Sequence, residues 1–428
     1  MARPWWVNPL CGNNLATAVG FPCEHQRAGE PYEKAFRRSS RTCETSVRRK
    51  GLSRFSGSRL NAAGALSLHG PRVWTMLAEY VPVLLTVAIC LFARPIAERL
   101  GVVDHPDSLR KMHPDPTPLV GGIAIMVPIA VWAVIKLAWA DGSAGGLELA
   151  ILLCGGGVAV LGFMDDQHMI SPTGRLILLA IFAIVALKLD PELFVTRIQT
   201  FAWGWLPISH VLSVFLVVLA LVGFSSAVNM VDGVNGLVLS LICVWSLCLA
   251  LEGGPEAEAA ELLAAASFVT LLFNARGRLF LGDCGAFAVT FTLGLITIAI
   301  HNEGRLMLDT VVVWFLLPVV DCLRLIPVRI MVGRSPFRPD RLHFHHLLSA
   351  RIGETAAISS YVGLVAVTSL VATLKPGLSI FCVCLDAIFY VGFLLADALA
   401  PAVPAVGELR QDEGANIVVL QGKKRGGG

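Results

Sequence analysis

The sequence predicts an all-α polytopic membrane protein of about eleven transmembrane helices, and two observations carry that. Of the 428 residues, 55% are hydrophobic and only 15% are charged, whereas a soluble domain carries about 25% charged residues. Mean hydropathy is +0.70. So few polar groups cannot cover a set of soluble domains. That excludes a water-soluble enzyme, an extended disordered chain and a nucleic-acid binder working by bulk charge.

The first element is an outlier. Residues 1–75 hold 12 Lys and Arg against 4 Asp and Glu, and the rest of the chain carries a net charge of −5. This stretch has scattered Ser and Gly, no sustained hydrophobic period and no apolar core of signal-peptide length. It reads as a basic, disordered extension. Met76 directly precedes the first apolar span, so the same residues also read as an upstream extension absent from the mature protein.

A membrane helix needs about 20 predominantly apolar residues. The spans expected are 76–94, 119–138, 147–164, 175–189, 208–228, 236–252, 259–274, 284–301, 308–327, 356–374 and 377–399, the fourth and seventh being short. They are too long and too evenly apolar for barrel strands. Pro318 and Pro327 are expected to kink or end the ninth. Residues 76–399 form the membrane domain, and 400–428 a cytoplasmic tail.

Numbering the connections alternately sorts the basic residues of the core 17 to 5 in favour of the side holding 94–118, 165–174, 229–235, 275–283, 328–355 and the tail. That asymmetry places this side in the cytoplasm, giving a core with its N-terminus out and its C-terminus in. The 11 cysteines are dispersed, mostly inside spans, and form no CxxC pair. They read as small packing residues and not as a disulfide framework.

The cytoplasmic loops carry five polar segments. They are Arg110-Lys111-Met112-His113 running to Gly121-Gly122, Gly162 to Asp166, Asn229 to Leu237, Phe280 to Gly285, and Ser335 to His346. One Asp beside a span can simply end its helix in water. Four of them, Asp165, Asp166, Asp232 and Asp283, on one face and beside Gly or Asn, point to a polar site, because charge is costly inside a bilayer. Adjacent carboxylates repel and suit a divalent cation, and Mg²⁺ takes a few carboxylates together with substrate phosphate oxygens.

His343, His345 and His346 have three readings: a solvated loop, a zinc site, or anion donors working with Arg338, Arg341 and Arg351. The basic surroundings favour the last. Gly155-Gly156-Gly157 lacks the Lys-Ser/Thr of a nucleotide loop and lies inside a span, so it reads as helix packing. Asp321 is either a motif residue or an interior polar partner.

Metal-ligating acids, phosphate donors and lipid access together suit phosphoryl transfer at a membrane surface, where positioning and electrostatics dominate. In order and spacing, the five segments resemble the polyprenyl-phosphate N-acetylhexosamine-1-phosphate transferases, above all the undecaprenyl-phosphate N-acetylglucosaminyl type. The likeness runs from about residue 90 to about residue 355, and Ser335-Pro336-Phe337 with Pro339-Asp340-Arg341 leading into His343-x-His345-His346 is its most specific part.

The resemblance implies attack of a polyprenyl phosphate on the β-phosphorus of a UDP-linked N-acetylamino sugar, with Mg²⁺ or Mn²⁺ and a cytoplasmic site in the bacterial inner membrane. It assigns Asp165 and Asp166 to the lipid phosphate, Asp165 being the base. Asp283 holds the metal with Asn229 beside it, and Asp232 is a further acid of the site. Phe280, Gly233 and Asn235 cradle the uracil. Arg341, His343, His345 and His346 face the diphosphate and sugar, and Lys111 and His113 close the phosphate side. The partners implied are the lipid, the UDP-sugar and the bilayer, with no nucleic acid; a homodimer is compatible.

Two departures stand out. Many bacterial relatives have Asp where this chain has Asn235, which puts an acid–base or metal role there in doubt, although an amide still bonds a uracil edge. Cys284-Gly285-Ala286 stands where Ser- or Thr-rich versions are common. The rival class is a secondary transporter, whose site lies near the bilayer midplane between repeated halves; no repeat of the five segments is visible here.

Overall fold

The computed structural model describes residues 71–106, 115–139, 145–333, 335 and 341–399, all within the unit Leu68–Gly428. Residues 1–70, the tail from 400, Lys111, His113 and 336–340 lie outside them.

Each of the eleven apolar spans is helical. Nine helices of the described residues are long and apolar enough to cross a membrane; a bent pair makes a tenth, and a shorter apolar helix is the eleventh. The chain is a multi-pass all-α membrane protein.

The bent pair is α1 (Pro71–Leu91) and α2 (Ala93–Leu100), which meet at 75°. The break has a local cause. Pro95 has no N–H to offer the Leu91 carbonyl, so the helix cannot continue straight. Beyond it α2 turns Arg94, Glu98 and Arg99 outward, and Arg94 pairs with Glu98 one turn on at 3.1 Å.

Short strands β1 (Val103–Asp104) and β2 (Thr117–Pro118) pair antiparallel and close the following loop. Then come α3 (Gly121–Trp139) and α4 (Gly146–His168), the latter with a π turn at Ile151–Gly155. Helix α5 (Pro172–Leu189) starts three residues before its apolar run, because Ser171 caps it and Pro172 sits in its first turn. A hairpin, β3 (Arg197–Thr200) and β4 (Gly204–Pro207), precedes α6 (His210–Val231). Helices α7 (Leu237–Leu251), α8 (Ala257–Asn274), α9 (Gly282–Asn302) and α10 (Leu308–Met331) follow, then α11 (Phe344–Ile352), α12 (Glu354–Leu374) and α13 (Ser379–Leu399). Helix α10 does not end at Pro327 but runs through both prolines to Met331. In a bilayer, neighbouring helices and side chains satisfy the carbonyls that a proline frees.

Helix α9 is the axis of the bundle, with 89% of its span buried. Its sequence is built from Gly, Ala, Thr and aliphatic residues, which let neighbours approach closely. On α4, Gly162 lies against the backbone of Asp283 and Cys284: an added Cβ would stand 2.5–2.6 Å from it. Seven residues earlier, a Cβ on Gly155 would meet the Thr292 hydroxyl at 2.8 Å. The Gly155-Gly156-Gly157 run is thus helix packing, with Gly157 against the Phe182 ring of α5. The eight described cysteines are free, and all but Cys384 are buried.

Contacts between loops divide the bundle into two ends. Phe280 donates its N–H to Pro118, Gly236 bonds Asn274, and Gly233 lies against His345 and His346. At the other end Asn302 bonds Glu192, Arg305 bonds the Glu252–Glu256 turn, and Phe201 bonds Asp309. The described parts of the five polar segments share the first end.

Candidate active site

The site is built around the start of α9. Gly282 adopts φ +72°, and a Cβ there would reach 2.8 Å from the Asp166 carboxylate. Both the left-handed backbone and the lack of space demand glycine. Immediately after it the chain enters the helix with its first N–H groups unsatisfied. Asp166, at the end of α4, supplies the acceptors: Oδ1 takes the Asp283 N–H at 2.8 Å and Oδ2 the Cys284 N–H at 3.1 Å. The fixed partial positive charge of the helix start favours this carboxylate.

Segment 117–122 clamps the same turn from the other side. Gly121 and Gly122 donate to the Phe280 and Leu281 carbonyls, each at 2.9 Å. The two backbones are so close that a Cβ on Gly122 would lie 2.6 Å from the Gly285 Cα. Thus the first, second and fourth segments converge on Gly282-Asp283-Cys284.

Asp165 is nearly inaccessible. Its Oδ1 accepts the Ile170 N–H and its Oδ2 a guanidinium N–H of Arg175, both at 2.5 Å. The same Arg175 nitrogen reaches Asp283 Oδ2 at 3.4 Å, and the Asp165 and Asp283 carboxylates lie against each other. Asp283 is the open member: its side chain is 33% exposed against 3% for Asp165. Arg175, which sequence reasoning counted only as a loop charge, therefore joins two of the predicted acids.

Asp232 follows the last turn of α6. Burial first, and the negative charge of Asp166 second, push its carboxyl up to about 7. Three of the acids thus influence one another through Asp166. Asn229 lies in the last turn of α6 and makes no hydrogen bond to Asp283 among the described residues.

The loop after α6 is tied down by Asn274, a residue the motifs did not flag. Its Oδ1 accepts the Gly236 N–H at 2.6 Å, and its Nδ2 donates to the Leu279 carbonyl at 3.0 Å. One buried amide thereby holds the Asn235-Gly236 turn beside Phe280. Asn235 is exposed, and its Nδ2 faces Gly277, standing 4.0 Å from where a Cβ there would be.

The histidines are not a uniform solvated run. His343 and His345 are buried; the His343 ring stacks on that of His345, which in turn packs tilted at 47° against His346. Asp321 anchors the run: it bonds His343 Nδ1 at 2.9 Å, accepts the Phe344 N–H at 3.1 Å, the Tyr390 hydroxyl at 3.0 Å, and pairs with Arg324 at 2.9 Å. Asp321 is thus an interior polar partner that fixes the loop. Among the described residues, His345 presents both ring nitrogens without a partner. Burial, then the neighbouring His346 and His343 rings, lowers it to about 3, so its ring is neutral. A Cβ on Gly233 would touch His345 and His346 at 3.0–3.1 Å, joining the third segment to the fifth. Arg341 is exposed at the start of this run.

This is a wall of carboxylates and one arginine, facing a histidine run across a glycine turn, at one end of a lipid-embedded bundle. Residues 148–301, which hold α4 through α9, match glycosyl transferase family 4. The chain is 29% identical over 290 residues to an undecaprenyl-phosphate alpha-N-acetylglucosaminyl 1-phosphate transferase of Salmonella typhi, covering 65% of this chain and 77% of the relative. The protein of the same name from Escherichia coli K12 is 28% identical over 278 residues, covering 62% and 74%. A decaprenyl-phosphate N-acetylglucosaminephosphotransferase of Mycolicibacterium smegmatis is 28% identical over 309 residues, covering 64% and 76%. The matched region contains the whole of the Asp165–Arg175–Asp283 arrangement.

Proposed function

We propose that this protein transfers N-acetylglucosamine 1-phosphate from its UDP conjugate to a polyprenyl phosphate such as undecaprenyl phosphate, releasing UMP. The observation that carries the reading is the convergence of Asp283, Asp165 and Arg175 on one open edge of a membrane-embedded bundle. The names of the related transferases support it. In the reaction a lipid phosphate oxygen bonds the β-phosphorus, and the bond from that phosphorus to the bridging oxygen of UMP breaks. The product, a sugar on a lipid diphosphate, would start a cell-surface glycan.

The chain's residues divide the work. Asp283 is the accessible carboxylate and faces the phosphates. Arg175 holds Asp165 and Asp283 in register and offers positive charge to the diphosphate. Asp165, with both oxygens engaged and little exposure, orients its neighbours and is poorly placed to take a proton. Asp166 fixes the start of α9. The Asn235–Gly236 turn and Phe280 offer an amide and a ring edge to a uracil, and the histidine run faces the sugar diphosphate.

A divalent cation fits this donor set. Two carboxylates abut with one guanidinium between them, and Mg²⁺ is held by one or two carboxylates plus substrate phosphates. Asp283, the open carboxylate, would hold it; Asp165 and Asp166 each have both oxygens committed to hydrogen bonds. The ion would offset the repulsion between two phosphorylated substrates. The excess of basic residues at this end supports a cytoplasmic site, and we infer a bacterial inner-membrane location.

The test is direct. Purified protein supplied with UDP-N-acetylglucosamine, undecaprenyl phosphate and Mg²⁺ should release UMP. No UMP with any UDP-N-acetylamino sugar would overturn the reading. Competition among several such sugars fixes the donor.

A further inference from the structure

Away from the site, α10, α12 and α13 pack together around a seam of polar side chains. Asp386 on α13 lies within it. Its exposure is 0%, and among the described residues neither carboxylate oxygen has a hydrogen-bond partner. By helix rise it lies about 10 Å from the start of α13 at Ser379 and about 20 Å from its end at Leu399, so it is inside the membrane span. Among the described residues no Lys, Arg or His acts on it. Thr368 on α12 is beside it, but that hydroxyl donates to the Leu364 carbonyl at 3.0 Å. Tyr361, also on α12 but two helical turns from Thr368, carries a buried hydroxyl with no hydrogen-bond partner among the described residues. Cys382 and Tyr390 flank it on its own helix. Beyond Tyr361 stand Asp321 and Arg324 of α10, which are already paired with each other.

A buried carboxylate without a partner is one of the costliest groups a membrane helix can carry. Every potential donor around it is either committed or neutral. What is missing is a single positive charge and a way to occupy two oxygens. One monovalent cation supplies both: the carboxylate becomes neutral overall, and the Thr368 oxygen is a hard donor of the kind small cations take. A divalent ion would leave an uncompensated positive charge at the same place.

We propose that Asp386, with the Thr368 hydroxyl, binds one monovalent cation, a proton or a sodium ion, within the membrane span. The site is separate from the carboxylates around Asp283 and lies toward the opposite end of the bundle. Its occupancy keeps α12 and α13 together, and α13 carries Tyr390, which bonds Asp321 and so the histidine run.

The experiment uses the full chain in nanodiscs, wild type and Asp386→Asn. Thermal stability is measured with sodium replaced by choline at constant ionic strength. Infrared difference spectra are recorded between low and high pH. For a sodium site, the wild type melts higher with increasing sodium, saturably, and Asp386→Asn does not respond. For a proton site, sodium has no effect, and a carboxylic acid C=O band that shifts with pH is present in the wild type and lost in Asp386→Asn. The proposal is overturned if both proteins respond alike to sodium and give the same infrared differences. Should Asp386→Asn not fold, Thr368→Val leaves the carboxylate in place and removes a neighbouring hydroxyl. It must shift the sodium midpoint or the band position, and an unchanged response overturns the proposal.

Discussion

Asp166 and Asp283 are joined by a bond between side chain and backbone: the Asp166 carboxylate accepts the Asp283 N–H at 2.8 Å. This one relationship sets the roles of both residues. Asp166 is used up in holding the start of α9, whereas Asp283 keeps its carboxylate free to face a substrate. The two acids should therefore fail in different ways. Asp283→Asn keeps the shape and removes the charge. Its UMP release should fall by roughly a hundredfold or more, the scale for removing one electrostatic contact to a reacting group, with an unchanged melting temperature. Asp166→Ala should melt lower, since it strips the cap from a buried helix start at a cost of about 1–2 kcal/mol. An active, metal-dependent Asp283→Asn enzyme would contradict the assignment.

Gly122 and Gly285 let two backbones touch beside that turn. Gly122→Ala puts a methyl where the Gly285 Cα already stands, with backbone and not a flexible side-chain end in the way. The expected result is a loss of at least about 2–3 kcal/mol, the cost of overpacking a tight interior, together with loss of activity. Gly156→Ala is the control. It belongs to the same kind of glycine-rich run, yet nothing lies within 4 Å of its added Cβ, so its melting temperature should not fall. Equal melting of the two variants would refute the packing argument.

Asn274 provides the third test. Replacing it with Ala leaves the Gly236 N–H and the Leu279 carbonyl unpartnered in a buried place, at a cost of about 1–3 kcal/mol for each. Because the turn it holds carries Asn235, the KM for the UDP-sugar should rise more than kcat falls. A kcat loss with unchanged KM would separate Asn274 from the nucleotide.

What could be read from the sequence follows a physical line. The eleven spans were legible because apolar length is a local property, and the prolines within α10 misled only about where it stops. The carboxylates, Gly233 and the histidines were legible because polar residues beside long apolar runs are rare. Arg175 and Asn274 were not. An arginine at a helix start reads as a topology charge, and an asparagine at a helix end reads as a terminus. Their partners come from elsewhere in the chain: Asp283 is 108 residues from Arg175 and Gly236 is 38 residues from Asn274. Asp321 was ambiguous for the same reason, since His343 and Tyr390 reach it only in the fold. The break between α1 and α2, at Phe92, fell inside the span read as 76–94, and its cause, Pro95, stood one residue beyond that span.

The histidine run gives a pH prediction with a definite sign. His345 is neutral because burial and its two neighbouring imidazoles lower it to about 3, against about 6.5 in an unfolded chain. Between those values the unfolded chain binds the proton that the folded one refuses. Stability from this group is therefore fully present above pH 6.5 and is lost as pH falls from 6.5 toward 3. His345→Gln, which has no proton to gain, should lose less stability than the wild type when the pH is lowered from 7 to 5. The measurement is the melting temperature of both proteins across that range. Parallel curves would show that His345 is protonated in the folded protein, and the neutral, buried ring described here would then be wrong.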